Sequence, residues 1–233
     1  MPDFDAVTLS NVSRHFGRRR ALSRITLSAR RGEVVGLLGP NGAGKSTIIG
    51  VLATLVAPTG GDVRFGERTA REHGPELRYH IGLLAHELHL YPELTARQNL
   101  TFFAQLYGLR EAGPVAGALA AAGLSDRADD DVAGFSRGMR QRLALERALI
   151  HGPRLVLLDE PFTGLDDRAV AIAADRVRQI AAAGAIVVLA THDLDVADGL
   201  VSRVVLVKDG RVVIDEPAGT GLRARYRALV GAA

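Results

Sequence analysis

A chain of 233 residues, 47% hydrophobic and 24% charged, has the size and make-up of one large globular domain or two closely packed lobes, which excludes collagen-like, coiled-coil and disordered readings. Cysteine is absent, so disulfide frameworks, thiolate metal sites and cysteine nucleophiles are excluded too. The formal charge of +3 is too small and diffuse to point to nucleic acid as a partner; of the 29 basic residues only Lys45 and Lys208 are lysines.

Met1 to Ser10 contains Asp3 and Asp5 and has no basic start followed by an apolar block. It does not read as a secretory leader, and the mature chain is expected to begin here. Alternation at Val7 and Leu9 and again at Ile25 and Leu27 predicts two strands of an antiparallel hairpin, with Arg18-Arg19-Arg20 as the turn. A buried strand, Glu33 to Leu38, then runs into a glycine-rich loop and an apolar segment, Thr47 to Leu55, of helical length. Asp62 to Phe65 and Glu67 to Thr69, around Gly66, suggest a second hairpin.

From Thr95 to Ala148 the pattern turns helical, with Leu100, Phe103, Ala104 and Leu106-Tyr107 on one face and an alanine-rich helix over Val115 to Ala122 stopped by Gly123. Continuous apolar runs at Leu155 to Leu158 and Ala185 to Ala190 fit strands buried on both faces of a parallel sheet. Val170 to Ala183 reads as the crossover helix between them, and Lys208-Asp209-Gly210 as a hairpin turn between Val204 to Val207 and Arg211 to Ile214. No apolar run approaches the ~20 residues that cross a bilayer, so membrane spans are expected on another chain.

The chemistry concentrates at three strand ends. Gly39-Pro40-Asn41-Gly42-Ala43-Gly44-Lys45-Ser46 fits the phosphate-binding pattern and sits between a buried strand and a helix, where backbone N–H groups and the helix N-terminus converge on phosphate oxygens. Lys45 is expected to reach the β and γ phosphates, Ser46 to ligate Mg²⁺, and Thr47 to add to the nucleotide contacts. The alternative is an accidental glycine-rich turn. Leu155 to Leu158 ends in Asp159 and Glu160, where Asp159 would hold the metal and Glu160 would be the base or positioning group for an attacking water. Thr191-His192-Asp193 follows the next strand and brings the His192 imidazole towards the γ-phosphate.

In this order the motifs resemble the nucleotide-binding subunit of an ABC transporter, over essentially the whole chain. The resemblance is sharpened by Phe135-Ser136-Arg137-Gly138-Met139-Arg140-Gln141-Arg142, which is similar to the family signature, although Arg137 stands where glycine is common and Met139 where glutamine is. It implies an α/β fold: a P-loop NTPase (RecA-like) core with a mainly parallel sheet, an antiparallel β layer and an inserted α-helical lobe. The single ATPase domain would span 1–233, with the core and β layer in 1–94 and 149–215, the helical lobe in 95–148, and a C-terminal helix in 216–233.

The resemblance further implies ATP and Mg²⁺ as cofactors, and a head-to-tail homodimer in which Ser136 and Gly138 act on the partner's nucleotide. Arg137 would join them at that interface. Phe16 would lie against adenine, and Asp166 of Gly164-Leu165-Asp166 would be an interface residue. Multi-span membrane subunits on separate chains, and a peripheral place on the cytoplasmic face of the inner membrane, complete the expectation.

His86 stands where the family usually has a glutamine that ligates Mg²⁺. Either it keeps that contact in modified form, or the contact passes to Glu87 or is lost. With Leu90 to Leu100 and Glu160 to Asp166, this histidine is similar to the haem exporter ATPase of the cytochrome c maturation system. Drug, lipid or polysaccharide exporters are the alternative, the drug and polysaccharide relatives sharing the Tyr91-Pro92, Leu94-Thr95 and Asn99-Leu100 features, and a soluble non-transport ABC ATPase is the second. A GTPase would need an Asn-Lys-x-Asp segment, which is missing.

Overall fold

The structure is a computed structural model that describes residues 4–219, 221 and 226. Its chain opens with the long antiparallel pair β1 (Ala6–Phe16) and β2 (Arg19–Arg30), followed by β3 (Val34–Leu38) and α1 (Lys45–Leu52). A small group follows: β4 (Gly60–Phe65), β5 (Arg68–Thr69), α2 (Ala70–His73) and β6 (Ile81–Leu84). Three helices come next, α3 (Ala96–Leu106), α4 (Ala112–Ala121) and α5 (Arg137–Leu149). The chain then returns to the sheet through β7 (Leu155–Asp159), α6 (Asp167–Ala182), β8 (Ile186–Ala190), α7 (Leu194–Ala197), β9 (Arg203–Lys208) and β10 (Arg211–Pro217).

Among the described residues the strands form two sheets. One is antiparallel in the order β2-β1-β4-β5; the other runs β10-β9-β3-β8-β7-β6. Within the second sheet the pairs from β9 to β6 are parallel and β10 is an antiparallel edge. Because side chains alternate along a strand, β7 feeds both of its faces. Leu155 and Leu157 pack with α1 and the antiparallel sheet, while Val156 and Leu158 pack with α5 and α6. Burial of this kind stabilises by about 1.5–3 kcal/mol for each fully enclosed aliphatic side chain, and β3, β7 and β8 are buried along their whole length.

The helices between β6 and β7 have their own apolar cluster, centred on Leu100, Leu119, Val132 and Leu143. α3 starts at Ala96 because Thr95 and Gln98 form a reciprocal capping box. Asn99, fully buried, binds the backbone of Tyr91, Leu94 and Thr95 and so fixes the loop before the helix. α5 belongs to both clusters, and Glu146 on it receives a two-pronged bond from Arg176 of α6 at 2.9 and 3.0 Å. Burial lifts the Glu146 carboxyl above the usual range, with Arg176 opposing.

Several boundaries differ from the sequence reading. The first hairpin turns at Gly17 and Arg18, whereas Arg19 and Arg20 are already in β2 and face Phe16 and His15. α4 begins at Ala112, with Pro114 tolerated in the first turn, where its missing N–H costs nothing. α6 begins at Asp167 because the Asp166 carboxylate accepts from the Ala169 N–H at 2.8 Å. The terminal helix expected over 216–233 cannot start at 216, since Glu216 and Pro217 continue β10 opposite Val204 and Arg203. The rest of that stretch lies outside the described residues apart from residues 218, 219, 221 and 226.

His151 joins the helical segment to the sheet. Its ring stacks on Tyr107 with centroids 3.7 Å apart and planes 5° from parallel, and its Nε2 is 3.3 Å from the Ile81 carbonyl. Burial lowers its pKa to about 4; the bond to Ile81 opposes this, and the charges of His80 and Arg147 add to it. The unfolded chain titrates near 6.5, so this residue's contribution to stability is complete above pH 6.5 and is lost as pH falls through about 4. Replacing it by phenylalanine (His151→Phe) should flatten the acid-side decline in unfolding free energy by up to about 3 kcal/mol. Urea melts between pH 4 and 7 check this, and an unaltered slope would refute it.

Candidate active site

Three parallel strands deliver the functional groups to one edge. β3 ends at Leu38 and the chain turns through Gly39 to Gly44 into α1. Gly39 has φ +146°, and a Cβ there would sit 2.1 Å from the Val207 carbonyl oxygen, so no other residue fits without displacing β9. Lys45 heads α1 and is buried, with Nζ donating to the Gly39 carbonyl at 2.7 Å and the Pro40 carbonyl at 3.2 Å. Its own amine thus braces the loop. Desolvation lowers the Lys45 pKa, while the charges of Glu160 and Asp159 act to raise it.

At the end of β7 the two carboxylates diverge. Asp159 is buried and its pKa is raised, chiefly by desolvation; a hydrogen bond from Ser46 lowers it, the Glu160 charge raises it, and Lys45 and His86 lower it. Glu160 leaves the strand with φ +53°, a left-handed conformation that a non-glycine residue holds only when its surroundings enforce it. Those surroundings are visible. Its N–H donates to the Ala190 carbonyl at 2.9 Å, its Oε2 lies 2.8 Å from Nδ1 of His192, and the Thr191 hydroxyl is 3.4 Å from the same oxygen.

These groups line a cleft of about 480 Å³ that also takes in Asn41, Thr47 and His86. Phe16 stands at its rim, 47% exposed, with the Arg14 guanidinium 4.5 Å above one ring face. Ala43 is buried behind the loop. The structure therefore gathers Phe16, the phosphate-binding loop with Lys45, Ser46 and Thr47, and His86, Asp159, Glu160 and His192 in one place.

Ser136, Arg137, Gly138 and Asp166 do not line this cleft. Ser136 caps α5 by accepting from the Met139 N–H at 3.2 Å. The Arg137 side chain lies against Gly164, where an added Cβ would meet its Cδ at 2.6 Å. Gly138 faces Leu165 and the Gly164 carbonyl, and Asp166 is occupied as the cap of α6. Within one chain, this second group forms a separate surface.

Three residues in or near the cleft escaped the sequence reading. Arg19 and Thr163 line it; the sequence puts Arg19 in a turn, although the two-residue period that aims Ala21 inward carries Arg19 with it. Gln141 is buried and its Nε2 donates to the Pro161 carbonyl at 3.0 Å, with the Glu160 carbonyl at 3.4 Å. A glutamine on an otherwise core-facing helix position is the signal that could have found it.

A glycine loop between strand and helix, with acidic and histidine strand ends beside it, defines a P-loop nucleotide-binding protein. The family model described as "ABC transporter" matches residues 22–163. A daunorubicin resistance ATP-binding protein of Streptomyces coeruleorubidus is 39% identical, the match covering 91% of this chain and 68% of that protein. A fluoroquinolones export ATP-binding protein of Mycobacterium tuberculosis is 40% identical over 90% of this chain and 70% of its own length. A linearmycin resistance ATP-binding protein of Bacillus subtilis is 33% identical, and the match spans 66% of its length. Among solved structures, an ATP-binding subunit of an ABC transporter superposes with a TM-score of 0.83 at 32% identity, covering 97% of this chain and 93% of its own. A dimeric bacterial ABC transporter cassette gives 0.82 at 28% identity, covering 91% and 99%. The chain belongs to the ABC transporter family, as its ATPase cassette.

Removing the Gln141 amide (Gln141→Leu) leaves the Pro161 carbonyl unpaired beside the site. The expected cost is about 1–3 kcal/mol of stability, together with a lower turnover number at nearly unchanged nucleotide affinity, because the backbone that aims Glu160 is loosened. Denaturant melts and steady-state kinetics read both, and wild-type turnover in a destabilised variant would separate Gln141 from the site.

Proposed function

We propose that this cassette hydrolyses ATP to power an exporter of drug-like or other amphipathic molecules, through multi-span membrane subunits carried on separate chains. The observation that carries the reading is the Glu160–His192 contact at 2.8 Å beside Lys45 in one cleft. An acid held by an imidazole next to a phosphate-binding loop is what in-line attack of water on a γ-phosphorus requires. Glu160 orients and deprotonates the water, His192 fixes the Glu160 carboxylate, and Lys45 with the loop N–H groups neutralises the transferring phosphoryl group.

The metal site has hard donors, the Ser46 hydroxyl and the Asp159 carboxylate, already bonded to each other. Among the described residues no three His, Cys, Asp or Glu side chains cluster around a metal-sized gap. That combination suits Mg²⁺, which takes one or two protein oxygens and completes its shell with water and nucleotide phosphates. When bound, the ion would offset charge on the β and γ phosphates. The His86 nitrogen is softer than magnesium prefers, although it lines the same cleft as Ser46 and Asp159. Phe16 offers the ring face not covered by Arg14 to adenine.

Ser136, Arg137, Gly138 and Asp166 form a surface apart from the cleft, which fits a head-to-tail pair in which Ser136 and Gly138 complete the partner's site. No helix of the described residues is long and apolar enough to cross a membrane. A peripheral position on the cytoplasmic face of the cell membrane accords with exposed Phe102 and Leu106 on α3, and Tyr91 on the loop before it, as the face for the membrane subunit. The relatives reported above are named for drug resistance and export, which favours that cargo class over haem; the haem-exporter reading has the His86 segment as its support.

Two variants test the reaction. Lys45→Ala should lose nucleotide binding or turnover. Glu160→Gln should bind ATP, pair with itself on gel filtration and hydrolyse at least about 100-fold more slowly; parental hydrolysis by Glu160→Gln would remove Glu160 from its role. Purifying the native membrane complex and assaying ATPase stimulation by daunorubicin-like cations and by haem decides the cargo, and stimulation by haem alone would overturn the drug-export proposal.

A further inference from the structure

The geometry points to Arg19 as a second phosphate-binding cation of the nucleotide cleft, a positioning residue that holds the ATP polyphosphate beside the Gly42 end of the loop. The inference rests on the nucleotide-binding reading and adds to it a residue that lies outside all the motifs. Arg19 and Phe16 are directly opposed across the β1–β2 ladder, so ring and guanidinium rise from the same face of the hairpin. Ala21, two residues on, lines the cleft with them. The guanidinium comes close to the loop itself: an added Cβ on Gly42 would lie 3.9 Å from Nη2 of Arg19.

Its neighbours do not share this position. Arg20, displaced by one residue, points to the other side and lines a separate groove with Arg24 and Arg211. Arg14 is engaged with the Phe16 ring and the Ala57 carbonyl. Arg19 forms no ion pair among the described residues, so its donors are available to a ligand. Electrostatics supplies the need. Asp159 and Glu160 outnumber Lys45 in the cleft, and Lys45 is partly spent on the Gly39 and Pro40 carbonyls. A triphosphate, even with its magnesium, adds negative charge to a site already short of cations. A guanidinium fork at the rim offsets that charge and pairs with phosphate oxygens in two-pronged geometry. The base stacks on Phe16 while the phosphates pass beneath Arg19, so one hairpin grips both ends of the nucleotide.

The test is equilibrium binding of ATP, ADP and adenosine to the full chain and to Arg19→Ala, Arg19→Lys, Arg20→Ala and Lys45→Ala, with steady-state ATPase kinetics alongside. Arg19→Ala should weaken ATP and ADP by roughly 10- to 50-fold and leave adenosine unchanged. KM should rise by a similar factor while kcat stays near the parental value, and Arg19→Lys should recover part of the loss. Arg20→Ala should behave as the parent. Unaltered ATP affinity in Arg19→Ala, an equal loss for adenosine, or the same loss in Arg20→Ala would each overturn the assignment. If Arg19→Ala fails to fold, Arg19→Gln carries the same comparison. A parent chain that binds no ATP, or a Lys45→Ala chain that binds it normally, would instead refute the nucleotide-binding reading on which this one stands.

Discussion

The site depends on one register. Ala190, at the end of β8, pairs with Leu37 of β3 on one side and with Asp159 of β7 on the other, so three parallel strands terminate on a common line. The phosphate-binding loop, the Asp159-Glu160 pair and the Thr191-His192 pair all begin within one or two residues of that line. A slip of one residue in any of these strands would exchange its two faces, pulling apart either the two core clusters or the cleft. Because both faces of β3, β7 and β8 are buried, the packing that stabilises the sheet is the same packing that aligns the chemistry.

On that frame the cleft stores opposed tendencies. Burial works against charge on both Lys45 and Asp159, and each is sustained in part by the other. Glu160 holds a left-handed backbone under three local restraints, from Ala190, His192 and Gln141. Lys45 is turned back onto its own loop. On the proposed reading, a polyanion with a divalent cation would relieve several of these tensions together, by giving Lys45 and Asp159 opposite charges to face. Such an arrangement would be preorganised for phosphate, its charges left incompletely satisfied at the mouth of an otherwise apolar core.

The second surface, at the start of α5 and the segment Gly164 to Asp166, is built by different means. The Arg137 stem lies on Gly164, Ser136 and Asp166 are each spent on capping a helix, and Gln141 connects this surface to the backbone at Glu160. A displacement of α5 would therefore be felt at the Glu160 backbone through two hydrogen bonds to main-chain carbonyls. The helical segment is also tied to the sheet through the Tyr107–His151 stack with its bond to Ile81, and to α6 through the Arg176–Glu146 pair.

Local chemistry made part of this legible in the chain. Gly39 to Ser46 could be read from composition and order alone because a phosphate loop needs glycine at positions where a Cβ collides, and a lysine and hydroxyl at a set spacing; Asp159, Glu160 and His192 followed because continuous apolar runs mark buried strands and their polar ends. What stayed hidden were the relations between distant segments. Arg19 looked like a turn because nothing within the hairpin reveals that Gly42 lies beneath it, and Gln141 looked like part of a motif because its acceptors are about twenty residues away. The extent of β10 and the left-handed bend at Glu160 arise from packing between elements remote in sequence. Residue order encodes which groups are present and which strand or helix carries them; their mutual distances come from the sheet register and the cores on its two faces, which are summed over the whole chain and cannot be read from any one stretch of it.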